Sequence, residues 1–399
     1  DKGVRAAGVD VVRLGAVPTP LLYFATHTLD VDGGVVVTGS HNPPNWNGFK
    51  LNLGTASMYG DALLALRDLI AAEDFESGEG QASEVDIYAP YERWVLGDIR
   101  REGRPIKVVI DAGSGTAGLV AGRLYQKLGF DVTELFCVPD GTFPHHHPDP
   151  TVEANLADLK AAVARERAEV GIAFDGDSDR IGCVDHKGRV VWGDQLLLFF
   201  ARAVLAEKPG ARIVSEVKCS RVLYDGVAAA GGQAEMWKVG HSLIKARMKE
   251  TGAVLAGEMS GHIFFADRFF GFDDAIYAGA RLLELLAAGG ATLAEMLDDL
   301  PRTVTTPELR VLCPDAAKDD VMARAAAYFG ERYPINDLDG VRVTFPHGWG
   351  LLRPSNTQPV LVMRFEADTP GNLAAYRGEV EGWLRDHAPA VDLEADTHH

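Results

Sequence analysis

Two rhythms of apolar and polar positions alternate along most of the chain. Short apolar runs at residues 10–14, 34–37, 107–110, 132–136, 170–174 and 213–217 read as strands. Residues 62–72, 119–128, 156–163, 195–206, 222–230, 242–249 and 275–286 instead repeat apolar positions at helical intervals. Strand and helix in alternation predict parallel sheets with crossover helices, an α/β protein. The rhythm changes near residue 302. There the pattern predicts a strand at 308–312, a helix at 316–329, strands at 341–344 and 360–366, and a helix at 373–384. Val360, Val362 and Arg364 alternate with Leu361, Met363 and Phe365, the period of a sheet face. This tail reads as a separate α+β unit. Polar stretches near 73–87, 185–194 and 299–307 suggest four units, 1–86, 87–188, 189–301 and 302–397.

Composition narrows the partners. The 399 residues are 47% hydrophobic and 24% charged, with a formal net charge of −18. Such a balance argues against nucleic acid or an anionic membrane as the main partner. An anionic small substrate then needs a local cluster of basic residues. The four cysteines include no CxxC pair, which excludes a disulfide scaffold and a cysteine zinc site. Their scarcity fits a reducing, cytoplasmic setting. No apolar run is long enough to cross a membrane as a helix. The terminal His398-His399 is set aside as tag-like.

Four loops carry candidate chemistry. Thr38-Gly39-Ser40-His41-Asn42-Pro43 follows an apolar strand, and Pro43 and Pro44 prevent a helix from continuing it. It is not a G-x-S-x-G nucleophile elbow, since positions 38 and 42 are Thr and Asn. Ser40 remains a nucleophile toward phosphorus if a cation and a base assist. Sequence neighbours rarely face each other, so pairing between Ser40 and His41 is not expected. In Asp175-Gly176-Asp177-Ser178-Asp179-Arg180, carboxylates at i, i+2 and i+4 call for a hard cation such as Mg²⁺. An EF-hand is excluded, because Arg180 and His186 stand where it needs Gly and Glu. The loop Gly257-Glu258-Met259-Ser260-Gly261-His262 offers carboxylate, hydroxyl and imidazole, a set suited to sugar hydroxyls. Arg353-Pro354-Ser355-Asn356-Thr357-Gln358 has the make-up of a phosphate cradle.

Two further motifs invite other readings. Gly113-Ser114-Gly115-Thr116-Ala117-Gly118 follows a strand and matches the dinucleotide pattern G-x-G-x-x-G, with Asp140 beyond it. The Pro-rich stretch after the next strand interrupts the βαβαβ half such a site needs, so a tight strand-to-helix turn is expected. An NAD-dependent oxidoreductase is the alternative. His145-His146-His147 lacks further ligands at metal spacing and reads as a loop bridging domains.

Taken together, the four loops resemble the α-D-phosphohexomutases, in their phosphomannomutase/phosphoglucomutase branch. The resemblance also covers Asn47-Gly48-Phe49-Lys50, Lys218 and Gly240-His241-Ser242-Leu243-Ile244-Lys245, and runs over essentially the whole chain. It implies three related mixed α/β domains and a smaller C-terminal α+β domain around one cleft. It also implies that Ser40 carries a phosphate, and that Asp175, Asp177, Asp179 and a phosphoserine oxygen hold Mg²⁺. Lys50 would be the general acid/base with His41 close by, and Arg180 would stabilise charge. Lys218 and His241 would line the cleft. Glu258 and Ser260 would hold the sugar, with His262 adjacent. Arg353, Ser355, Asn356 and Thr357 would bind the phosphate not being transferred.

The expected reaction moves a phosphoryl group between C1 and C6 of glucose and mannose phosphates, with glucose 1,6-bisphosphate as activator and intermediate. The expected oligomeric state is monomer or dimer. Phosphoglucosamine mutase is the alternative within the class; its sugar loop usually has Gln where Met259 stands. Ser178 replaces a glycine that the family often carries. The family's opening strand, with an arginine near the active site, precedes residue 1, so the first domain is expected to be incomplete at its N-terminus.

Overall fold

The computed structural model describes residues 1–43, 45–355 and 358–393. The first unit holds a three-stranded antiparallel sheet, Gly33–Val37, Phe49–Leu53 and Ala56–Ser57. Alternation along its strands turns Val35, Val37, Phe49 and Leu53 outward, where they are exposed. Val36 and Lys50 pair on the opposite face. The helix Thr19–Thr28 packs beneath, burying every residue from Thr19 to Thr26. A helix apolar all round has no amphipathic signature, which is why the pattern did not reveal it.

The second unit is a five-stranded sheet. Lys107–Asp111 lies parallel between Asp131–Leu135 and Val170–Phe174, and antiparallel Ile181–Asp185 and Val190–Val191 complete it. The third is four-stranded. Arg212–Glu216 runs parallel to Gln233–Trp237 and to Leu255–Gly257, with Ile263–Phe265 antiparallel at the edge. The parallel sheets expected from strand–helix alternation are therefore mixed. The returning strands follow their loops at once, and an immediate reversal pairs antiparallel. One apolar core runs through these units, joining Tyr91, Leu124, Ile172, Leu197, Phe265 and Leu282.

The last unit has a six-stranded antiparallel sheet. In its strand Val360–Ala367 the residues Leu361, Met363 and Phe365 enter an apolar cluster with Phe329 and Trp383 of two helices. The other face is buried too: Glu366 accepts from the Arg221 backbone N–H of the third unit at 3.1 Å. The strand Gly348–Pro354, buried at six of seven positions, shows no alternation and escaped the pattern for that reason.

His145 and His146 pack within their own unit rather than bridging domains. His146 Nε2 lies 3.0 Å from Asp111 Oδ2, and the His145 ring stacks on Phe136 at 3.9 Å. Both partners sit at the ends of the unit's own strands, so the loop folds back on its own sheet. Among the described residues no helix is long and apolar enough to cross a membrane.

Candidate functional site

Every candidate loop leaves the carboxyl end of a strand, where backbone groups are free of the ladder and open α/β sheets form their crevices. The all-buried strand Val170–Phe174 delivers the aspartate loop. Asp175, Asp177 and Asp179 are buried, and one oxygen of each lies within 4.8 Å of the others. The loop braces itself. Asp175 Oδ1 accepts from the backbone N–H groups of Asp179 and Arg180 at 3.0 and 3.1 Å. Asp177 Oδ2 accepts from Thr19 Oγ1 at 2.7 Å, Thr38 Oγ1 at 3.1 Å and Lys50 Nζ at 2.7 Å. Asp177 Oδ1 is buried without a hydrogen-bond partner. An all-oxygen set with such an unsatisfied carboxylate oxygen fits a hard divalent cation.

Ser40 meets this loop directly, its Oγ donating to Asp175 Oδ2 at 2.8 Å. Its φ of +51° is left-handed, a strained choice for a serine, held in part by the Ser40 N–H bond to Thr38 Oγ1 at 2.8 Å. That turn overturns one expectation: Ser40 Oγ and His41 Nδ1 lie 3.1 Å apart. Left-handed backbone at the serine swings neighbouring side chains to one side. Close approach has a second condition. A Cβ on Gly176 would lie 2.2 Å from the Ser40 carbonyl oxygen, so only glycine lets the two loops touch. Ser178 also has positive φ, +70°, and its hydroxyl is 3.0 Å from that of Thr116.

Lys50 bridges Asp177 Oδ2 and Asp179 Oδ2 at 2.7 and 2.5 Å. Burial opposes its charge, but Asp179 and Asp177 hold its ammonium well above the ordinary lysine value. Burial, then the charges of Asp179 and Asp177, push the Asp175 carboxyl well up. Burial would raise Asp179 too, but Lys50 and His262 hold it well below the usual range. Burial, then Arg180, lower His41 to about 4. The Arg180 Nε is buried without a hydrogen-bond partner.

The 257–262 loop of the third unit abuts the aspartate loop, with the Ile181 N–H bonded to the Gly261 carbonyl at 3.0 Å. His262 lies between Asp179 Oδ1 at 3.3 Å and Glu258 Oε2 at 2.9 Å. Burial lowers its affinity for a proton, but the Asp179 charge outweighs this and lifts it to about 9. Glu258, opposed by burial and favoured by His262, falls to about 2. Ser260 Oγ is 3.2 Å from His262 Nδ1. The His241 ring stacks on that of His262 at 5.4 Å, and His241 Nδ1 is 3.1 Å from buried Asp273.

From here the polar chain continues into the last unit. Glu258 Oε1 accepts from the Gly240 N–H at 2.7 Å, and Asp339 Oδ2 from the Val239 N–H at 2.9 Å. Arg353 is paired with Asp339 at 3.2 Å and keeps a buried Nε without a hydrogen-bond partner. Lys218 Nζ faces Glu308 at 3.3 Å. Ser355 Oγ accepts from the Gln358 N–H at 3.2 Å. Asn356 and Thr357 lie outside the described residues. Loops from all four units thus meet in one connected array.

Pattern reading missed several members of it. Thr19 and Tyr23 belong to the buried helix Thr19–Thr28; the Tyr23 hydroxyl is buried without a partner, and Lys245 Nζ lies 4.0 Å from its ring centroid. Asp273, Glu216 and Asp339 sit in no motif of their own. The dinucleotide alternative fails on space. A Cβ on Gly115 would meet the Gly176 carbonyl at 2.7 Å, and one on Gly118 the Cys137 carbonyl at 2.0 Å. These glycines serve internal packing.

This mixed α/β chain, which gathers a serine, an aspartate triplet and polar loops of all four units in one array, belongs to the phosphoglucomutase/phosphomannomutase family. Its four segments are matched in order: alpha/beta/alpha domain I at residues 2–77, domain II at 95–188, domain III at 192–304 and the C-terminal domain at 308–382. Among individual relatives, the phosphomannomutase/phosphoglucomutase of Pseudomonas aeruginosa PAO1 is 45% identical over 393 residues, covering 98% of this chain and 84% of that protein. The phosphoglucomutase of Neisseria meningitidis serogroup A is 47% identical over 374 residues, covering 92% and 81%. The crystal structure of a phosphoglucomutase/phosphomannomutase family protein from Burkholderia thailandensis superposes with a TM-score of 0.92 at 46% identity, covering 98% of this chain and 86% of that one.

Proposed function

We propose that this chain transfers a phosphoryl group reversibly between the C1 and C6 oxygens of glucose and mannose phosphates, with Ser40 as the carrier. One observation carries the reading: the Ser40 hydroxyl sits 2.8 Å from Asp175, in a buried aspartate triplet that Lys50 also engages. Phosphoryl transfer asks mainly for positioning and charge neutralisation, and this array is built for both. The free hydroxyl oxygen of the sugar attacks the phosphorus of phosphoserine, the P–Oγ bond breaks, and a 1,6-bisphosphorylated hexose forms. After the intermediate turns around, its other phosphate returns to Oγ and the hydroxyl on the sugar is restored.

Asp175, Asp177 and Asp179 would hold Mg²⁺, which when bound neutralises charge on the moving phosphoryl group. Lys50 exchanges the proton between substrate hydroxyl and serine oxygen, with His41 beside Oγ. Arg180, with its unpartnered Nε, offers a donor to the transferring group. Glu258 and Ser260, two apart in one loop, hold adjacent ring hydroxyls O3 and O4; His262, His241 and Lys218 line the cleft. Arg353, Ser355, Asn356 and Thr357 grip the phosphate at the far end. The units are placed at 1–86, 87–188, 189–301 and 302–397.

Two phosphate grips set the substrate's length and leave C2 unread, so glucose and mannose phosphates should have kcat/KM values within roughly tenfold, about 1.4 kcal/mol. Nothing in the 257–262 loop supplies a dedicated partner for a 2-amino group. A coupled assay on glucose 1-phosphate and mannose 1-phosphate, with Mg²⁺ and with or without glucose 1,6-bisphosphate, tests the reading. The bisphosphate should stimulate turnover. Glucosamine 6-phosphate as the best substrate would transfer the assignment to phosphoglucosamine mutase.

A further inference from the structure

We infer that Glu216 is a positioning residue that sets the spacing between the two cleft loops of the third unit. The inference rests on the reading that Glu258 and Ser260 hold the sugar. Glu216 ends the strand Arg212–Glu216 and is fully buried. Its Oε2 accepts from the Lys218 backbone N–H at 2.5 Å, and its Oε1 from the Met259 backbone N–H at 3.1 Å. The Cys219 thiol adds a weaker contact at 3.7 Å. One carboxylate therefore ties together loops leaving two adjacent parallel strands, which pair through Ser215 and Gly257. One loop presents Lys218 and the other presents Glu258 and Ser260.

The chemistry of the tether marks it as costly. Among the described residues, no charged side chain hydrogen-bonds to this buried carboxylate; burial raises it, the nearby Lys218 charge counters that, and the Glu258 carboxylate adds to the rise. A buried carboxylate whose direct hydrogen bonds come mainly from backbone N–H groups still bears the cost of its own desolvation, so its net support for the fold is small. What such a residue does secure is geometry, because each oxygen accepts along a fixed direction. The 216–220 loop is fastened from the opposite side as well. Arg342 of the last unit donates to the carbonyls of Val217 and Cys219, the latter at 2.8 Å. Glu216 is thus the point where the sugar loop is registered against a loop already fixed to the phosphate-binding unit.

Glu216→Gln keeps the side chain's size but turns one acceptor into an NH₂ that faces a backbone N–H. Leaving one buried donor unpaired should lower kcat/KM by roughly 5- to 150-fold when expressed as lost positioning. A structural defect and a positioning defect are separated by pairing this variant with a substrate that cannot feel the sugar loop. The experiment measures kcat and KM of wild type and Glu216→Gln on glucose 1-phosphate and on 3,4-dideoxyglucose 1-phosphate, which lacks both hydroxyls assigned to the loop. The expected result is a kcat/KM loss of about tenfold or more on glucose 1-phosphate, shrinking to within about threefold on the deoxy sugar. Glu216→Asp, which keeps both acceptors but shortens their reach, should show the same pattern more weakly, and carries the comparison if the glutamine variant does not fold. A loss equal on both sugars, or no loss on either, overturns the inference while leaving the mutase reading intact. Wild type that handles both sugars equally overturns the assignment of Glu258 and Ser260, and this inference with it.

Discussion

Gly176→Ala tests the contact on which the serine's position depends. The added methyl would lie 2.2 Å from the Ser40 carbonyl oxygen and 3.5 Å from Pro148 Cγ. Cβ atoms essentially never approach a heavy atom closer than 3.0 Å, so the loops must separate by at least about 0.8 Å. The obstacle is backbone, so no side-chain rotation relieves it. Nor does Gly176 have a positive φ, and alanine is conformationally acceptable there. The effect is therefore displacement alone. Moving Ser40 by close to 1 Å stretches its 2.8 Å bond to Asp175 beyond hydrogen-bonding range. A misplacement of about 1 Å costs on the order of 10²-fold in rate. Steady-state kinetics on glucose 1-phosphate should show kcat reduced about 10²-fold and KM changed little, since the 257–262 loop proposed to hold the sugar is untouched. Thermal unfolding should shift by only a few degrees. Gly97→Ala, with no atom within 4 Å of the added methyl, is the control and should turn over normally. A kcat for Gly176→Ala within threefold of wild type would refute the claim that contact with the aspartate loop positions the serine.

Other expectations follow from the same array. Purified protein should carry partial phosphorylation at Ser40, a gain of about 80 Da by intact mass, and Ser40→Ala should lose at least ~10²-fold in turnover. Asp177→Asn places an amide where the unpartnered Oδ1 lies and should weaken Mg²⁺ binding in a calorimetric titration without changing the circular dichroism spectrum; EDTA should abolish wild-type turnover. Arg353→Ala should raise KM strongly for both the 1-phosphate and 6-phosphate sugars, with unchanged values for both ruling out a phosphate role. Stability should depend on Asp274, whose buried carboxyl is pushed up to about 7 from an ordinary value of 3.8. Between those pH values the unfolded chain has released a proton that the folded chain retains, so stability falls as pH rises through the interval and levels off above it. The ceiling on that loss is roughly 4 kcal/mol. Asp274→Asn retains an acceptor for the Tyr277 N–H, and its melting temperature should be much flatter from pH 4.5 to 7.5. A wild-type profile equally flat would contradict the raised carboxyl.

Much of the site was legible because its chemistry is local. Carboxylates at alternate positions in the 175–180 loop, a serine after a strand end and the arginine–serine cradle at 353–358 are visible as residue types at fixed spacing. Strands and helices with one buried face were legible for a similar reason, since burial on one side writes a period into the sequence. Burial on both sides writes none. The helix Thr19–Thr28 and the strand Gly348–Pro354 were invisible for that reason, and Thr19 and Tyr23 with them. Tertiary structure alone decided which solitary residues complete the array. Glu216, Asp273 and Asp339 act on partners fixed by adjacent strands or by another unit, and Glu216 meets Met259 only because two parallel strands lie side by side. Tertiary structure alone also decided that Ser40 and His41 face each other. That depends on a left-handed φ sustained by the Thr38 hydroxyl and by the packing of the 38–43 loop on the aspartate loop, and no residue type records it.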